Sequence, residues 1–208
     1  MRRRTFDLLA TGIGLVLTVV LFVAGGLLLW GASFTQSSVK TQLSQQQITF
    51  PAKGDPQLQN PLIGPYLSPY AGQQLLTGAQ AEVYADHFIK VHLEEIGQGH
   101  TYAYWSGLAK ADPTNTAAAT TADLMFKGST LRGLLLNAYA FWTIGTIAYI
   151  AAFASLFLGL VMLVLTILGW RHYRKVPEDE EFLAGVVLKD PDRGEKADAP
   201  KETVGASA

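Results

Sequence analysis

Residues 133–170 read GLLLNAYAFWTIGTIAYIAAFASLFLGLVMLVLTILGW, which is 38 successive positions without a formal charge. A helix of about 20 apolar residues is long enough to cross the hydrocarbon core of a bilayer. A basic cluster, Arg171-His172-Tyr173-Arg174-Lys175, follows the run directly. Because Lys and Arg beside a span stay in the cytoplasm, the run predicts a membrane helix whose C-terminal end faces inward.

The run is too long for a single straight crossing. As one helix it would measure about 57 Å, nearly twice the ~30 Å hydrocarbon thickness. Two spans joined by a hairpin are the alternative, but they would export the basic cluster, and the middle of the run has no proline or Asn-Gly turn. We therefore expect one long helix, with residues 144–170 in the membrane and about Ser129 to Thr143 outside it. Ser129, which follows Gly128, is the expected N-cap. Aromatic residues of the headgroup layer are expected near the outer boundary, at Tyr139, Phe141, Trp142 and Tyr149.

A second apolar run covers residues 8–32 and follows Met1-Arg2-Arg3-Arg4. Its 25 residues exceed the 7–15 apolar residues of a signal peptide, so it predicts a retained span. Cleavage at Gly31-Ala32-Ser33 is the alternative. The basic flanks of the two runs place both termini in the cytoplasm and the residues between the runs outside.

The predicted fold is an all-α membrane protein with two transmembrane helices, a small helical extracytoplasmic domain and a disordered cytoplasmic tail. Its predicted segments are a cytoplasmic N-terminus at 1–7, spans at 8–32 and 144–170, the extracytoplasmic domain at 33–143 and the acidic tail at 171–208. The tail predicts disorder because residues 176–208 carry four basic and nine acidic side chains and few large apolar ones. We expect the protein in the plasma (inner) membrane, with the lipid bilayer as a partner.

Charge and cysteine content limit the chemistry. The net charge is −1, and residues 33–132 carry six basic and seven acidic side chains, which argues against nucleic acid as a partner. The chain has no cysteine, so a disulfide, a cysteine nucleophile and a cysteine-ligated metal are all excluded.

The region between the runs predicts helices. The polar stretch from Phe34 to Gln47 has no proline or glycine and is expected to continue the first span as a helix. Ile48-Thr49-Phe50-Pro51 should end it, since a residue before proline leaves helical geometry. Five prolines between Pro51 and Gly72 predict a semi-rigid loop. Its expected apolar anchors are Leu62, Ile63, Tyr66, Leu67 and Tyr70.

A further helix is predicted from Thr77 to about Ile96. Thr77 and Gln80 have the spacing of a capping box, and Asp86 and Lys90 that of a stabilising i,i+4 pair. Gly97 and Gly99 should stop this helix. The next helix is expected at Thr101 to Ala111, and Asp112-Pro113 should start another. The apolar face of the Thr77 helix consists of Ala81, Tyr84, Ala85, Phe88, Ile89, His92, Leu93 and Ile96.

Several short motifs resemble a family of actinobacterial two-span membrane proteins of unknown function. They are Gln47-Ile48-Thr49-Phe50-Pro51, Tyr70-Ala71-Gly72-Gln73-Gln74, Gly78-Ala79-Gln80-Ala81, Tyr84-Ala85-Asp86 and His92-Leu93. The resemblance covers both spans and the region between them. Members sometimes carry the label of an aromatic ring-opening dioxygenase.

The residues do not support that label. A non-haem iron oxygenase needs two histidines and a carboxylate around an open site. His87 and His92 are five apart and point about 140° apart on a helix, so they cannot readily share a metal. His92 and Glu95 are three apart and could, but a third ligand would have to come from His100 or from elsewhere. The chain has no Gly-x-Ser-x-Gly motif and no phosphate-binding glycine loop. We assign no catalytic, cofactor-binding or metal-binding residue and no cofactor.

Two other patterns suggest contacts. Ala151, Ser155 and Gly159 repeat at four-residue spacing, with Ala148 and Ala152 alongside and Gly14, Thr18, Gly25 and Gly26 in the first span. Such small residues let helices pack closely, either within this chain or against itself or another membrane protein. The aromatic residues Tyr102, Tyr104 and Trp105 are expected to be core or membrane anchors, or alternatively a binding surface.

These features favour a non-enzymatic envelope protein that acts as an accessory or scaffolding subunit of a membrane assembly. An extracytoplasmic ligand-binding or sensor module is the alternative, and a metal-dependent extracytoplasmic enzyme is the second alternative.

Overall fold

The computed structural model describes residues 3–175, and this part of the chain is helical, as predicted. Its longest helices are α1, Arg3–Gln46, and α6, Thr116–Tyr173. Between them lie α2 (Gly64–Leu67), α3 (Gly78–Tyr84), a π-helical turn (Ala85–Ile89), α4 (Lys90–Ile96) and α5 (Tyr102–Ala111). Short 3₁₀ turns cover Pro56–Gln59 and Ser68–Tyr70. The predicted disordered tail lies outside the described residues from position 176 onward.

Both α1 and α6 are long and apolar enough to cross a membrane. The polar stretch after the first apolar run continues α1, as expected, and α1 ends at Gln46. The next residue, Gln47, has a left-handed φ of 53°. The chain then leaves the helix and pairs with a later loop. The Leu75 amide donates a hydrogen bond to the Ile48 carbonyl at 2.8 Å, and the Phe50 amide donates one to the Gln73 carbonyl at 2.9 Å.

The long uncharged run forms one helix and not a hairpin, but that helix starts earlier than predicted. Ser129 is an interior residue of α6 and not its N-cap. The helix begins at Thr116, and the Asn115 side chain accepts a bond from the Ala118 amide at 2.9 Å. Asp112 is not an N-cap either, since it forms a local turn by accepting bonds from the amide and hydroxyl of Thr114. Gly128 lets α6 pass close to α4, because a Cβ there would lie 2.6 Å from Leu93 Cδ2.

The predicted capping box at the start of α3 is present. Gln80 Oε1 accepts hydrogen bonds from the backbone amides of Leu76 and Thr77 at 2.8 and 3.0 Å. The backbone amide of Gln80 donates a hydrogen bond to Thr77 Oγ1 at 3.2 Å. Gln80 is 8% exposed, so this cap lies inside the fold. Helical structure then continues to Ile96 as expected.

The π-helical turn at Ala85–Ile89 was not predicted. A π turn holds an extra residue, so it shifts every later position around the helix. Beyond it, Val91 is buried, whereas Ile96 on the predicted apolar face is exposed. The predicted Asp86–Lys90 pair is also wrong, because Asp86 pairs with Arg132 at 2.6 Å and Lys90 lies 4.0 Å from Glu94.

The core lies between the end of α1, the loop of residues 51–72 (the proline loop), α3 and the middle of α6. The largest fully buried side chains are Phe50, Ile63, Leu67 and Leu75. Three of the predicted loop anchors are confirmed, because Ile63 and Leu67 are buried and Tyr70 packs against the core. The other two, Leu62 and Tyr66, are exposed. The Phe50 ring lies against Tyr70 and, edge-on, against Tyr84, with centroids 5.2 and 5.4 Å away.

The chain divides into two compact units. The larger contains Leu21–Leu158, and the smaller combines the described residues before position 21 with those after position 158. We call residues 33–143, which belong wholly to the larger unit, the connecting domain. The candidate surfaces described next lie within it.

Candidate functional site

The three histidines that the sequence offers as metal ligands are engaged in separate contacts. The His87 ring stacks on Tyr66 with centroids 3.4 Å apart. His92 Nδ1 lies 2.7 Å from the Phe88 carbonyl oxygen one turn earlier. The His100 ring stacks on Tyr104 at 3.9 Å. Within residues 3–175 no three His, Asp or Glu side chains lie close enough together to hold a metal ion.

The aromatic residues of α5 are not part of the core. None of the ten described residues of α5 is buried. Tyr102 and Tyr104 are 41% and 45% exposed. Trp105 is half-buried, and its Nε1 donates to the Gly97 carbonyl at 3.0 Å.

Ring contacts join these side chains and their neighbours in two groups. Tyr104 packs edge-on against Trp105 at 5.5 Å, and Tyr102 lies 5.7 Å from the exposed Phe126 of α6. Leu108, one turn after Tyr104, is also exposed. The following residues form what we call the aromatic patch: His100, Tyr102, Tyr104, Trp105, Leu108 and Phe126.

The aromatic patch is far from the predicted membrane boundary at Ile144. Phe126 lies 18 residues before Ile144 in the same helix, which corresponds to about 27 Å. A ring at that distance does not reach the headgroup layer beside its own span. With that boundary, Tyr102 and Tyr104 would not anchor the protein in the headgroup layer beside their own span, but the boundary itself stays a prediction.

A groove of about 530 Å³ runs between α1 and α6 in the connecting domain. Its floor is apolar and buried, with Val39, Leu43 and Leu135 at 3–7% exposure. Phe34, Leu134 and Phe141 stand on its rim and are exposed. The fourteen described lining residues are Phe34, Thr35, Ser38, Val39, Gln42, Leu43, Gln46, Ile48, Leu131, Leu134, Leu135, Asn137, Ala138 and Phe141.

The two walls of the groove differ in polarity. The α1 wall carries uncharged polar side chains at helical spacing, including Ser38, Gln42 and Gln46. The α6 wall is mostly apolar, with Asn137 as its amide. None of the fourteen described lining residues is charged, so the groove suits a neutral and largely apolar occupant.

The sequence reasoning missed this groove. Each wall is a stripe of residues three or four apart on one helix, but only their juxtaposition forms the concave surface. The signal in the sequence was the uncharged run 133–170. It is longer than a bilayer core, so the apolar residues beyond the bilayer would have to be shielded from water by another surface.

The small residues of the spans make contacts within the chain. In the larger unit, Ser155 Oγ donates to the Leu21 carbonyl at 2.8 Å, and a Cβ on Gly25 would lie 2.7 Å from Leu156. Ala152 is fully buried, whereas Ala151 is exposed. The small residues of α6 that contact α1 therefore include Ala152 and Ser155. Ala151, which was predicted to belong to this row, does not. Association with a second chain stays a prediction.

The smaller unit has close contacts of its own. A Cβ on Gly14 would lie 2.8 Å from Thr166 Oγ1, and one on Gly169 would lie 3.0 Å from Thr11 Oγ1. Asp7 and His172 approach to 3.9 Å. Thr18 is buried and donates to the Gly14 carbonyl one turn earlier.

No protein-family model, curated protein or solved structure matches this chain. The resemblance to the actinobacterial two-span family therefore stays a prediction.

Proposed function

We propose that the protein is a non-enzymatic, two-span accessory or scaffolding subunit of a plasma-membrane assembly. Both termini are cytoplasmic, the connecting domain is extracytoplasmic, and the acidic tail is a disordered cytoplasmic segment. The aromatic patch docks onto the extracytoplasmic part of a partner membrane protein.

Exposure of the apolar helices supports the membrane assignment. Only 17% and 11% of their most apolar 18-residue windows are buried within the molecule. A core helix of a soluble protein would be mostly buried, and a helix that faces lipid would not. Trp30 stacks on Phe34 near one predicted boundary, and Arg174 lies 5.3 Å from the Trp170 ring centroid near the other. Such residues favour the interfacial layers.

The topology can be tested with single cysteines, because the chain has none of its own. Ser68 lies exposed in the proline loop, and Ser207 belongs to the tail. We expect an impermeant maleimide to label Ser68→Cys in intact cells and Ser207→Cys only after lysis. Labelling of Ser207→Cys in intact cells would contradict the proposed topology.

The aromatic patch is the observation that supports the accessory role. Exposed Tyr, Trp and Phe side chains are typical of the energetic centres of protein interfaces. Phe126 of the patch lies about 27 Å along α6 from the predicted boundary. A partner that is itself embedded in the membrane would therefore have to protrude from it. The extracytoplasmic part of another integral membrane protein can reach that height more readily than a lipid can.

The test is a pull-down of the tagged full-length protein in mild detergent, with the complex sized intact and identified by mass spectrometry. We expect a stoichiometric partner with the wild type and with the control Lys110→Ala, which alters an exposed residue of the same helix. The double variant Tyr104→Ala, Leu108→Ala should lose about 2 kcal/mol of binding, or roughly thirtyfold in affinity. A protein that purifies alone, or a partner that the double variant retains, would contradict the proposal.

The groove favours a second candidate function, that of a ligand-binding module. Its volume of about 530 Å³ lies in the range of small-molecule sites, about 300–1,000 Å³. This function does not require the aromatic patch and is tested independently.

A further inference from the structure

We propose that the groove between α1 and α6 binds the hydrocarbon chain of a lipid drawn from the adjoining leaflet of the bilayer. This inference rests on the proposed membrane placement, with the hydrocarbon boundary near Ala32 and Ile144. It gives the ligand-binding candidate a ligand class and does not depend on partner docking.

The groove begins where the bilayer ends. Phe34 lies two residues beyond Ala32, and Phe141 lies three residues before Ile144. These separations correspond to about 3 and 4.5 Å along the helices. Both rings are exposed and line the groove, at 62% and 57% exposure. None of the described lining residues is charged, so a lipid chain can pass from the leaflet into the groove without crossing a charged barrier.

The dimensions fit a single extended chain. The α1 wall runs from Phe34 to Gln46, which is 12 residues or about 18 Å. The acyl chains of one leaflet fill about half of the ~30 Å hydrocarbon core, or about 15 Å. Dividing the volume of about 530 Å³ by about 18 Å gives a cross-section of roughly 30 Å².

The wall chemistry favours a neutral chain with a polar end. Val39, Leu43 and Leu135 give the chain a dry apolar floor. The amides of Gln42 and Gln46 line the far part of the α1 wall, where they can hydrogen-bond ester or hydroxyl oxygens. Because no charged side chain is among the described lining residues, an anionic headgroup would gain no ion pair inside the groove.

The experiment is photocrosslinking in vesicles of phosphatidylcholine that contain a diacylglycerol probe, which is neutral, with a diazirine beside the ester group of one acyl chain. The full-length protein is reconstituted, irradiated and mapped by mass spectrometry. Gln42 lies about 15 Å and Leu131 about 20 Å beyond the predicted boundary, where a lipid confined to the bilayer does not reach. We expect crosslinks at residues 42–46 and 131–135, together with crosslinks in the spans.

Neighbouring serines provide a matched pair of variants. Ser38 lines the groove, whereas the exposed Ser37 next to it does not. Ser38→Trp should reduce the crosslinks at 42–46 and 131–135 by about tenfold or more, equivalent to about 1.4 kcal/mol of binding. Ser37→Trp should leave them unchanged. Ala138→Trp fills the groove from the α6 wall and serves as a second blocking variant if Ser38→Trp does not fold.

The outcomes separate this inference from the membrane placement. Crosslinks confined to the spans would overturn lipid binding in the groove while leaving the two-span proposal intact. Crosslinks beyond the boundary that persist in both blocking variants would place the lipid elsewhere and also overturn the inference. An absence of crosslinks in the spans would refute the membrane placement itself. A partner protein lost on Ser38→Trp, with no lipid crosslink in the groove, would assign the groove to that protein.

Discussion

The adjacent glycines Gly25 and Gly26 allow a direct test of how α1 packs against α6. A Cβ on Gly25 would lie 2.7 Å from Leu156 Cγ and Cδ2 and 3.4 Å from the Ala152 carbonyl oxygen. A Cβ on Gly26 would have no neighbouring atom within 4 Å. Isoleucine at position 25 must therefore displace Leu156 or separate the helices, whereas isoleucine at position 26 meets open space.

The difference between the two variants isolates the packing energy. Both substitutions replace glycine by isoleucine in the interior of one helix, so the change in helix propensity is nearly the same and cancels. Overpacking a close contact costs about 1–3 kcal/mol. Displacement of α1 would also strain the hydrogen bond from Ser155 Oγ to the Leu21 carbonyl. Hydrogen bonds between membrane helices contribute about 0.6 kcal/mol to stability on average. We expect Gly25→Ile to be about 2 kcal/mol less stable than Gly26→Ile.

The assay is unfolding of the full-length protein in mild detergent by titration with SDS, followed by tryptophan fluorescence and accompanied by measurement of particle size. The wild type and Gly26→Ile should unfold at similar SDS fractions and Gly25→Ile at a lower one. Equal midpoints for the two variants would refute the packing argument. A smaller particle with Gly26→Ile alone would show instead that the open glycine face joins two chains, which is the self-association alternative.

Three further predictions concern the connecting domain. Phe50→Ala removes a ring that is 2% exposed, so it should cost about 3–5 kcal/mol and lower the melting temperature of the domain by about 12 °C or more. A double-mutant cycle on Asp86 and Arg132, which approach to 2.6 Å, should give a coupling of about 1 kcal/mol or less that falls with added salt, because both side chains are about one-third exposed. The same cycle on Asp86 and Lys90 should give no coupling. Burial raises the pKa of Tyr84 above its ordinary value of 10.0, so the unfolded chain loses this proton first and stability falls as the pH rises above about 10. Tyr84→Phe should therefore reduce the loss of melting temperature between about pH 9 and pH 11.

Matched variants separate these effects from general damage to the fold. Leu62→Ala, at a side chain that is 59% exposed, should leave the melting temperature nearly unchanged. A drop as large as that of Phe50→Ala would mean that the described core is not the stabilising one. Coupling between Asp86 and Lys90 would restore the local pair that the sequence suggested. If Tyr84→Phe and Tyr66→Phe change the alkaline loss equally, the effect does not come from burial of Tyr84.

The long helices and the local caps could be predicted from the sequence because their signals are local. The uncharged runs, the polar continuation of the first run and the Thr77–Gln80 capping box each depend on residues within a few turns of one another. The start of α6 was predicted too late because Gly128-Ser129 resembles a helix start, although Gly128 is there to accommodate Leu93 of α4. That contact joins residues 35 positions apart and leaves no local pattern.

The π-helical turn was missed for the same physical reason. Its position coincides with contacts to distant residues, since Asp86 within it pairs with Arg132 and the preceding Tyr84 packs on Phe50. A helical periodicity read along one segment assumes a constant turn. It therefore gave the right apolar face before the extra residue. After that residue it missed the buried Val91 and included the exposed Ile96, although Leu93 does pack against the core as predicted.

The groove relates the unusual length of the uncharged run 133–170 to the proposed lipid ligand. A run of 38 uncharged residues exceeds what a ~30 Å hydrocarbon core can cover, so several turns of α6 must be shielded from water by something else. The core covers one flank, where Leu135 is 3% exposed, but Leu134 and Phe141 on the other flank remain 61% and 57% exposed. Exposed apolar surface of this kind usually marks a binding site. In the proposed membrane placement these residues continue directly from the lipid-facing surface of the same helix. The nearest apolar material that can cover them is then the lipid beside it.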